Sequence, residues 1–235
     1  IPLCLVGSEM CIRDSIWSND EMAPVSKDIS QRCEEVGKNL ASVGANVSYT
    51  AKPDHDFLKG EINYQLLLQS VMQSGMSDDE FKKIEEIASN LDKNDLSAEA
   101  ILAKGTALSH RNWIRQNYAR EQIKISWSKF FQDWDILICP QLATTAIKHD
   151  HGKISERTIM IDNQEQRFFQ QIFWPGLAVN AHLPSTVFPT GLASDGMPIG
   201  LQAIGGAYED KTTIKFAELY DCLLYTSDAA DDVAS

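Results

Sequence analysis

The sequence predicts an α/β fold, and three patterns along the chain support this prediction. A strand, an amphipathic helix and a second strand follow one another between residues 16 and 50. A short, nearly all-apolar run occupies 136–139, and two strand segments separated by turn residues lie between 187 and 204. Alternation of strands with helices is typical of α/β sheets, and the last two segments have the pattern of a hairpin.

The first unit runs from a strand at 16–18 to a strand at 46–50. The helix between them is indicated by apolar residues at three- and four-residue steps, namely Val25, Ile29, Cys33, Val36, Leu40 and Val43. Such spacing places the apolar side chains on one buried face. Pro24 suits the first turn of a helix, and Gly44 suits its left-handed end. A βαβ unit of this kind has parallel strands and a right-handed crossover.

Helical periodicity continues through the middle of the chain. Helices are predicted over 57–73 and 77–91, the second opening with the capping sequence from Ser77 to Glu80. A long helix is predicted over 97–132. Its aromatic residues lie on more than one face, which predicts burial between layers.

The remaining elements complete the α/β pattern. The apolar run 136–139 is typical of a strand that is covered on both faces. The polar stretch 141–165 predicts a loop, and a helix is predicted over 166–181, with Pro175 expected to kink or break it. After the hairpin, whose turn contains Asp-Gly, a last helix is predicted over 210–220.

Composition excludes several classes of function. The 235-residue chain carries a net charge of −12, which argues against a nucleic-acid partner because phosphate binding needs a basic surface. No apolar run reaches the length of a membrane span. Of five cysteines, only Cys33 and Cys139 lie within 16–221. They lack metal-ligand spacing, which suggests a reducing compartment, and we expect a cytoplasmic protein.

The two ends of the chain differ in composition from the rest. Residues 1–15 and 222–235 resemble translated sequencing-adapter read-through, and poorly ordered natural termini are the alternative. On the first interpretation, 16–221 is the protein proper, and the ends are expected to add nothing to its stability. Neither repeats nor linker-like composition divide 16–221, so one partial domain is predicted there.

The sequence offers no recognisable catalytic residue. It has no G-x-S-x-G elbow, no two adjacent serines, and no glycine-rich segment before a serine that could form an oxyanion hole. Residues 148–151 include two histidines, but histidines two apart in a polar loop are more often solvated than metal-bound. The sequence therefore predicts no metal site.

Three residues are candidates for substrate binding. Ligands in open α/β sheets bind beyond the carboxyl ends of the strands, and this points to Pro140 and Thr144 in the loop after the apolar strand. A plain connecting loop is the alternative. Trp174 is the third candidate, because a kink at Pro175 would turn its indole out of the helix stack. Packing in the core is the alternative for Trp174.

Several segments resemble the amidase signature family. WPGLAVNAHLPSTVFPTGLASDGMPIGLQAIGG at 174–206 is similar to the C-terminal signature of that family, roughly LP…P.G….G.PIGLQ.IG. WSKFFQDWDILICPQLATTA at 127–146 resembles the family's W..FF…D.LL.P…..A segment, and SHRNWIRQNYAR at 109–120 resembles the helix before it. RTI at 157–159 and WPGLA at 174–178 match a branch of stand-alone amidases.

The resemblance implies a partial amidase-signature fold, with a mixed sheet covered by helices, and it covers essentially all of 16–221. It implies hydrolysis of amides by a Ser–Ser–Lys triad and a glycine-rich oxyanion loop, without a metal or an organic cofactor. None of these groups matches a position in this chain. The resemblance therefore places them upstream, makes the chain a C-terminal fragment, and implies that the fragment alone is inactive.

For the complete enzyme we expect a small-molecule amide as substrate, no nucleic-acid or membrane partner, and a homodimer as the candidate assembly. Two other functions remain open. One is an amidotransferase A-type subunit, which passes ammonia to an acyl-tRNA and copurifies with a tRNA-binding subunit. The other is a non-catalytic α/β binding module, whose sheet would have no missing neighbours. The amidase interpretation predicts exposed apolar strand edges instead.

Overall fold

In the computed structural model, helices and strands alternate much as predicted. The structure describes residues 13–152 and 156–234, and from residue 225 onward it describes the backbone only. The strands are β1 (Arg13–Ile16), β2 (Asn46–Ser48), β3 (Ile136–Pro140), β4 (Thr158–Ile161), β5 (Gln164–Arg167), β6 (Ser185–Leu192) and β7 (Pro198–Gly205). The helices are α1 (Lys27–Ser42), α2 (Phe57–Met72), α3 (Asp78–Asn90), α4 (Ala98–Thr106), α5 (His110–Asp133), α6 (Phe173–Ala181) and α7 (Asp210–Ala234).

A mixed five-stranded sheet with the order β2–β1–β3–β7–β6 forms the centre of the fold. β1 is parallel to β2 and β3, which confirms the βαβ prediction, and β7 is antiparallel to both β3 and β6. Helices pack on this sheet, as where Phe216 and Tyr220 of α7 contact the ring of Phe188 on β6. The predicted α/β class with a mixed sheet covered by helices is confirmed.

The first strand lies earlier in the chain than predicted. It spans Arg13–Ile16 rather than 16–18, because β2 and β3 offer backbone partners to its polar residues on both sides. Arg13 forms an ion pair with Asp135 at 2.6 Å, and the Ser15 hydroxyl donates to the carbonyl of Ala51. Arg13 to Ser15 are therefore part of the sheet, which favours a contribution of these three residues to stability, while 1–12 lie outside the described residues.

The structure of the chain before α6 also differs from the prediction. β4 and β5 form a hairpin inside a region that was predicted as a loop plus the start of a helix. Asp162 and Asn163 take positive φ values of 47° and 67° at its turn, which is the conformation of a two-residue hairpin loop. A short 3-10 helix over Phe168–Ile172 then leads into α6.

The predicted helix 166–181 is broken just before Pro175, where a 3-10 helix over Phe168–Ile172 gives way to α6. The helix begins at Phe173, which places Pro175 in its first turn. The backbone N–H groups of a first turn have no partner within the helix, so a proline costs no hydrogen bond there. His182, in the left-handed conformation with φ 55°, ends the helix.

The chain forms two compact units where the sequence predicted one domain. The first comprises residues 1–53 and 127–235, and the second comprises 54–126. The second unit holds α2, α3, α4 and the first part of α5. Because α5 runs without interruption across residue 126, no loop or change of composition marks this boundary.

Within the second unit, the long helix predicted over 97–132 is interrupted. α4 ends at Thr106 and α5 begins at His110, and the hydroxyl of Ser109 accepts from the backbone N–H of Asn112 as a helix cap does. α4 lies close to α2 at Gly105, where an added Cβ would stand 2.8 Å from the Cβ of Gln69. The predicted capping box of α3, between Ser77 and Glu80, is confirmed.

The last helix extends beyond its predicted end. α7 continues from Asp210 to Ala234 instead of ending near 220, so residues 222–234 continue a helix. No helix in the described residues is long and apolar enough to cross a membrane.

Candidate functional site

The carboxyl ends of β1, β2 and β3 lie at one edge of the sheet, because these three strands are parallel. This edge is where open α/β sheets bind ligands. The segments that follow the strands are 17–24 after β1, 49–53 after β2 and 141–146 after β3. All three belong to the first compact unit.

An aromatic cluster lies behind this edge. Trp17 is 1% exposed and packs edge-to-face against Phe173 and Trp174, with ring centroids 5.7 and 5.4 Å away. The ammonium group of Lys52 stands 4.0 Å from the centroid of the Trp17 ring and 3.6 Å from a carboxylate oxygen of Asp20. A cation over an indole face is an attractive arrangement, so Lys52 joins the ends of β1 and β2.

Trp174 lies in this core. Its side chain is fully buried, and its indole N–H donates to the carbonyl of Ala23 at 3.0 Å. The indole does not turn outward as expected. Within the described chain, the indole therefore packs in the core and supports the 17–24 segment from behind.

The loop after β3 is held at several points. Pro140 is buried at the end of the strand, and its carbonyl accepts from the side chain of Gln202 at 2.9 Å. The carbonyl of Ala143 accepts from the backbone N–H of Ser26, the N-cap of α1, at 2.8 Å. Thr144 follows and is half-buried. Thr144 is thus the predicted binding residue that presents part of its side chain to solvent.

Gln202 brings two of the three predicted residues together, and sequence analysis did not single it out. Its amide N–H₂ donates to the carbonyl of Pro140 and, at 2.8 Å, to the carbonyl of Trp174. The sequence did contain a signal for this role, because Gln202 is the one amide side chain in the otherwise apolar strand IGLQAIG. A buried polar side chain needs hydrogen-bond partners.

The start of α1 is a second meeting point. The carboxylate of Asp162, at the tip of the β4–β5 hairpin, accepts from the backbone N–H of Lys27 at 2.9 Å. The carboxylate of Asp28 accepts from both the backbone N–H and the hydroxyl of Ser194 in the β6–β7 turn. These bonds to Ser194 lower the pKa of Asp28. With the loop after β3, whose Ala143 bonds Ser26, three connecting segments are therefore tied to the start of α1.

The two buried thiols of the described sheet region are not activated as nucleophiles. Burial raises the pKa of the Cys33 and Cys139 thiols, so both stay protonated at neutral pH. Burial, and to a lesser degree the charge of Asp135, raises the pKa of Asp14 to about 8. Among the described residues, neither oxygen of Asp14 has a hydrogen-bond partner.

The histidines of the 148–151 segment do not gather metal ligands around them in the described part of the chain. The rings of His149 and His151 lie 6.4 Å apart, and no group of three or more His, Cys, Asp or Glu side chains with metal-site geometry occurs there.

Relatives match this chain over less than half of its length. The A-type subunit of the Glutamyl-tRNA(Gln) amidotransferase of Aliarcobacter butzleri is 35% identical over 101 residues, which are 43% of this chain and 20% of that protein. The corresponding protein of Thermosynechococcus vestitus is 30% identical over 110 residues, which are 46% of this chain and 21% of that protein. The matched segments span about a fifth of these relatives.

Solved structures match nearly the whole chain. The 6-aminohexanoate cyclic dimer hydrolase superposes with a TM-score of 0.62 and 16% identity, over 94% of this chain and 47% of that one. A bacterial aryl acylamidase of the amidase signature family has a TM-score of 0.59 and 16% identity, over 91% of this chain and 46% of that one.

The A-type subunit of the Glutamyl-tRNA(Gln) amidotransferase of Thermotoga maritima has a TM-score of 0.60 and 18% identity, over 89% of this chain and 43% of that one. The chain thus spans less than half the length of each of these three solved structures, and at such identities the likeness concerns the fold. A family model described as Amidase matches residues 8–214, a range that includes Arg13 to Ser15. The chain therefore belongs to the Amidase family, that of the amidase signature enzymes.

Proposed function

We propose that this chain is the C-terminal part of an amidohydrolase that cleaves carboxylic amides, with a Ser–Ser–Lys triad on residues upstream of it. The observation that carries the proposal is the family match over residues 8–214. A sequence without adjacent serines supports the upstream location of the triad. An aryl acylamidase and a cyclic dimer hydrolase among the solved structures of the same fold support hydrolysis as the reaction.

In this proposal, the sheet edge forms one wall of the substrate cleft. Thr144 faces the cleft, and the buried Pro140 holds the start of its loop through Gln202. Trp174 supports the wall from the core side through its contact with Trp17. Leu142, which is 45% exposed in the same loop, offers apolar area to this wall, and this favours neutral or apolar acyl groups. We propose a small-molecule amide as the substrate, no metal or organic cofactor, a homodimer of the complete enzyme, and a cytoplasmic location.

The outer strand β6 supports this proposal over a self-sufficient binding module. β6 is the last strand on its side of the described sheet, and its Val187 and Leu192 side chains are 53% and 60% exposed. Long edge strands with exposed apolar residues are rare in complete soluble folds because they promote association. Such an edge is expected where further parts of a larger protein pack.

The test uses the complete enzyme, made by joining the upstream coding sequence to this chain. We expect it to hydrolyse amides, and we expect Thr144→Val to change kcat/KM about tenfold for some acyl chain lengths and not others. Thr212→Val, at a half-buried threonine of α7, is the matched control. Equal chain-length profiles for Thr144→Val and the parent would contradict the cleft assignment, and absence of any amidase activity would contradict the function.

An amidotransferase A-type subunit is the second candidate. The named curated relatives with 30–35% identity are A-type subunits of Glutamyl-tRNA(Gln) amidotransferases, and this favours it. Trp174-Pro-Gly-Leu-Ala178 favours the stand-alone branch, whose segment it resembles. Purification of the complete protein from its natural host distinguishes the two. A stoichiometric tRNA-binding partner would establish the transferase, and an active preparation without a partner would establish the hydrolase.

A further inference from the structure

We propose that Gln202 is a positioning residue that fixes the loop after β3 against α6 and thereby shapes the substrate cleft. The functional half of this inference rests on the proposed amidase function. The structural half concerns contacts within the first compact unit alone.

The side chain of Gln202 has all of its hydrogen-bonding groups engaged. It is 1% exposed, its Nε2 donates to the carbonyls of Pro140 and Trp174 at 2.9 and 2.8 Å, and its Oε1 accepts from the hydroxyl of Ser185 at 3.0 Å. Two carbonyl groups can only accept, so the amide must turn its N–H₂ toward them. The orientation of the amide is therefore determined by its partners.

The two carbonyls belong to segments that no strand pairing connects. Pro140 is the last residue of β3 and begins the loop that carries Thr144, whereas Trp174 lies in the first turn of α6. The carbonyl of Trp174 also belongs to the residue whose indole contacts Trp17. One amide thus determines the distance between the candidate cleft loop and the aromatic cluster behind it.

An apolar side chain could not replace this amide without cost. Loss of the donor would leave two buried carbonyls without that partner, which is unfavourable because no water reaches them in its place. Water would have to enter, or the loop would have to move away from α6. Either change alters the position of Thr144 relative to Trp174.

The experiment compares Gln202→Met, which keeps the length of the side chain and removes the amide, with Thr190→Val. Thr190 is equally buried on the neighbouring strand β6, and its hydroxyl donates to the carbonyl of Ile199, away from Pro140 and Trp174. Both variants are made in this chain, and the indole N–H of Trp174 is identified among the five tryptophans by Trp174→Phe. Stability is measured by urea unfolding, and geometry by ¹H–¹⁵N NMR.

We expect Gln202→Met to shift or broaden the Trp174 indole signal and the amide signals of 141–145, and Thr190→Val to leave them in place at a comparable loss of stability. Signals that do not move in Gln202→Met, or that move equally in Thr190→Val, would overturn the positioning role. If Gln202→Met does not fold, Gln202→Leu replaces it, because leucine is also apolar and has no group that can donate.

The second readout is kinetic and uses the complete enzyme. Gln202→Met is expected to raise KM about tenfold more for long acyl chains than for short ones, with a smaller change in kcat. An NMR effect with an unchanged chain-length profile would overturn the functional half of the inference. A parent enzyme without amidase activity would instead contradict the proposed function, and the NMR result alone would then decide the role of Gln202.

Discussion

Asp14 is the residue that fits its surroundings worst. Its carboxyl group is fully buried in the sheet between Val47 of β2 and Ile136 of β3, and no described group forms a hydrogen bond with it. A charged carboxylate without partners is strongly destabilising in such a place. The group therefore stays protonated to a pH near 8, which is where its pKa lies.

This environment predicts an unusual dependence of stability on pH. The pKa in the folded chain is about 8, well above the unfolded value of about 3.9, so the folded state binds more protons between these values. The free energy of unfolding then falls as pH rises from about 4 to about 8, by about 1.4 kcal/mol for each pH unit in the middle of that window. Above pH 8 this contribution stays constant.

Asp14→Val is expected to remove the pH dependence and to stabilise the chain at pH 8 by several kcal/mol, because a β-branched side chain suits a buried strand. Urea unfolding at pH 5.5 and pH 8.5 measures both effects. Asp221→Asn, at an exposed position of α7, is the control and should behave like the parent. Parallel pH profiles for the parent and Asp14→Val would mean that the carboxylate finds partners in solution.

Among the helices, α4 depends on a close approach to α2. At Gly105 an added Cβ would lie 2.8 Å from the Cβ of Gln69 and 3.1 Å from the carbonyl oxygen of Leu66. These atoms are near or in the backbone of α2, so they cannot move aside as the end of a flexible side chain would. Alanine would favour the helix by about 1 kcal/mol, whereas overpacking costs about 1–3 kcal/mol.

We therefore expect Gly105→Ala to destabilise the second unit by up to about 2 kcal/mol, since the clash outweighs the gain in helix propensity. Gly75→Ala is the matched control, because nothing lies within 4 Å of its added Cβ and its φ is not in the left-handed region. Thermal unfolding followed by circular dichroism compares the two. Equal melting temperatures would show that α4 can shift away from α2.

Elements with strong local signals were predictable, and those that depend on partners were not. The α3 capping box and the apolar run of β3 follow from a few neighbouring residues, and both are present. The polar strand β1 forms because it pairs with β2 and β3, and the local sequence does not indicate which distant strands it will pair with. The start of α6 at Phe173, which places Pro175 in the first turn, was not predicted, because helix ends are the least certain part of such predictions.

The candidate site was predictable in position and not in detail. The rule that ligands bind beyond strand ends selected the loop after β3. The role of Trp174 could not be decided from sequence, since an indole beside a proline suits a core and a cleft equally well. The contact between Gln202 and two distant carbonyls needs three-dimensional knowledge, because 62 and 28 residues separate it from Pro140 and Trp174.

At the scale of the whole molecule, β1 connects the amino-terminal segment to the sheet. Removal of Arg13 to Ser15 would take away most of the pairing of β1 and the ion pair with Asp135. At pH 5.5, where Asp14 is protonated, we expect a chain of 16–221 to be less stable than one of 13–221 by more than about 1 kcal/mol, which exceeds the usual effect of neutral surface changes. Urea unfolding compares them, and a chain of 13–224 serves as the control for the other end.

The proposed function also predicts that the isolated chain has no activity. With no adjacent serines and no glycine-rich oxyanion loop, we expect it to hydrolyse no amide. A serine-directed fluorophosphonate, with intact-mass detection, measures this directly. Stoichiometric labelling of one serine would reveal a nucleophile within this chain and would contradict the upstream location of the triad. A solved amidase of the same fold, labelled in parallel, is the positive control.

The pairing of β1 with β3 has a consequence for synthesis on the ribosome. Arg13 and its partner Asp135 are 122 residues apart in the chain, and a ribosome adds about 5–20 residues per second. For roughly 6–25 s the nascent β1 is without its β3 partner, and a chaperone can bind it in that interval. Slower translation of residues 54–126 would lengthen this exposure and lower the soluble yield, whereas slower translation after all strands have emerged would leave the yield unchanged.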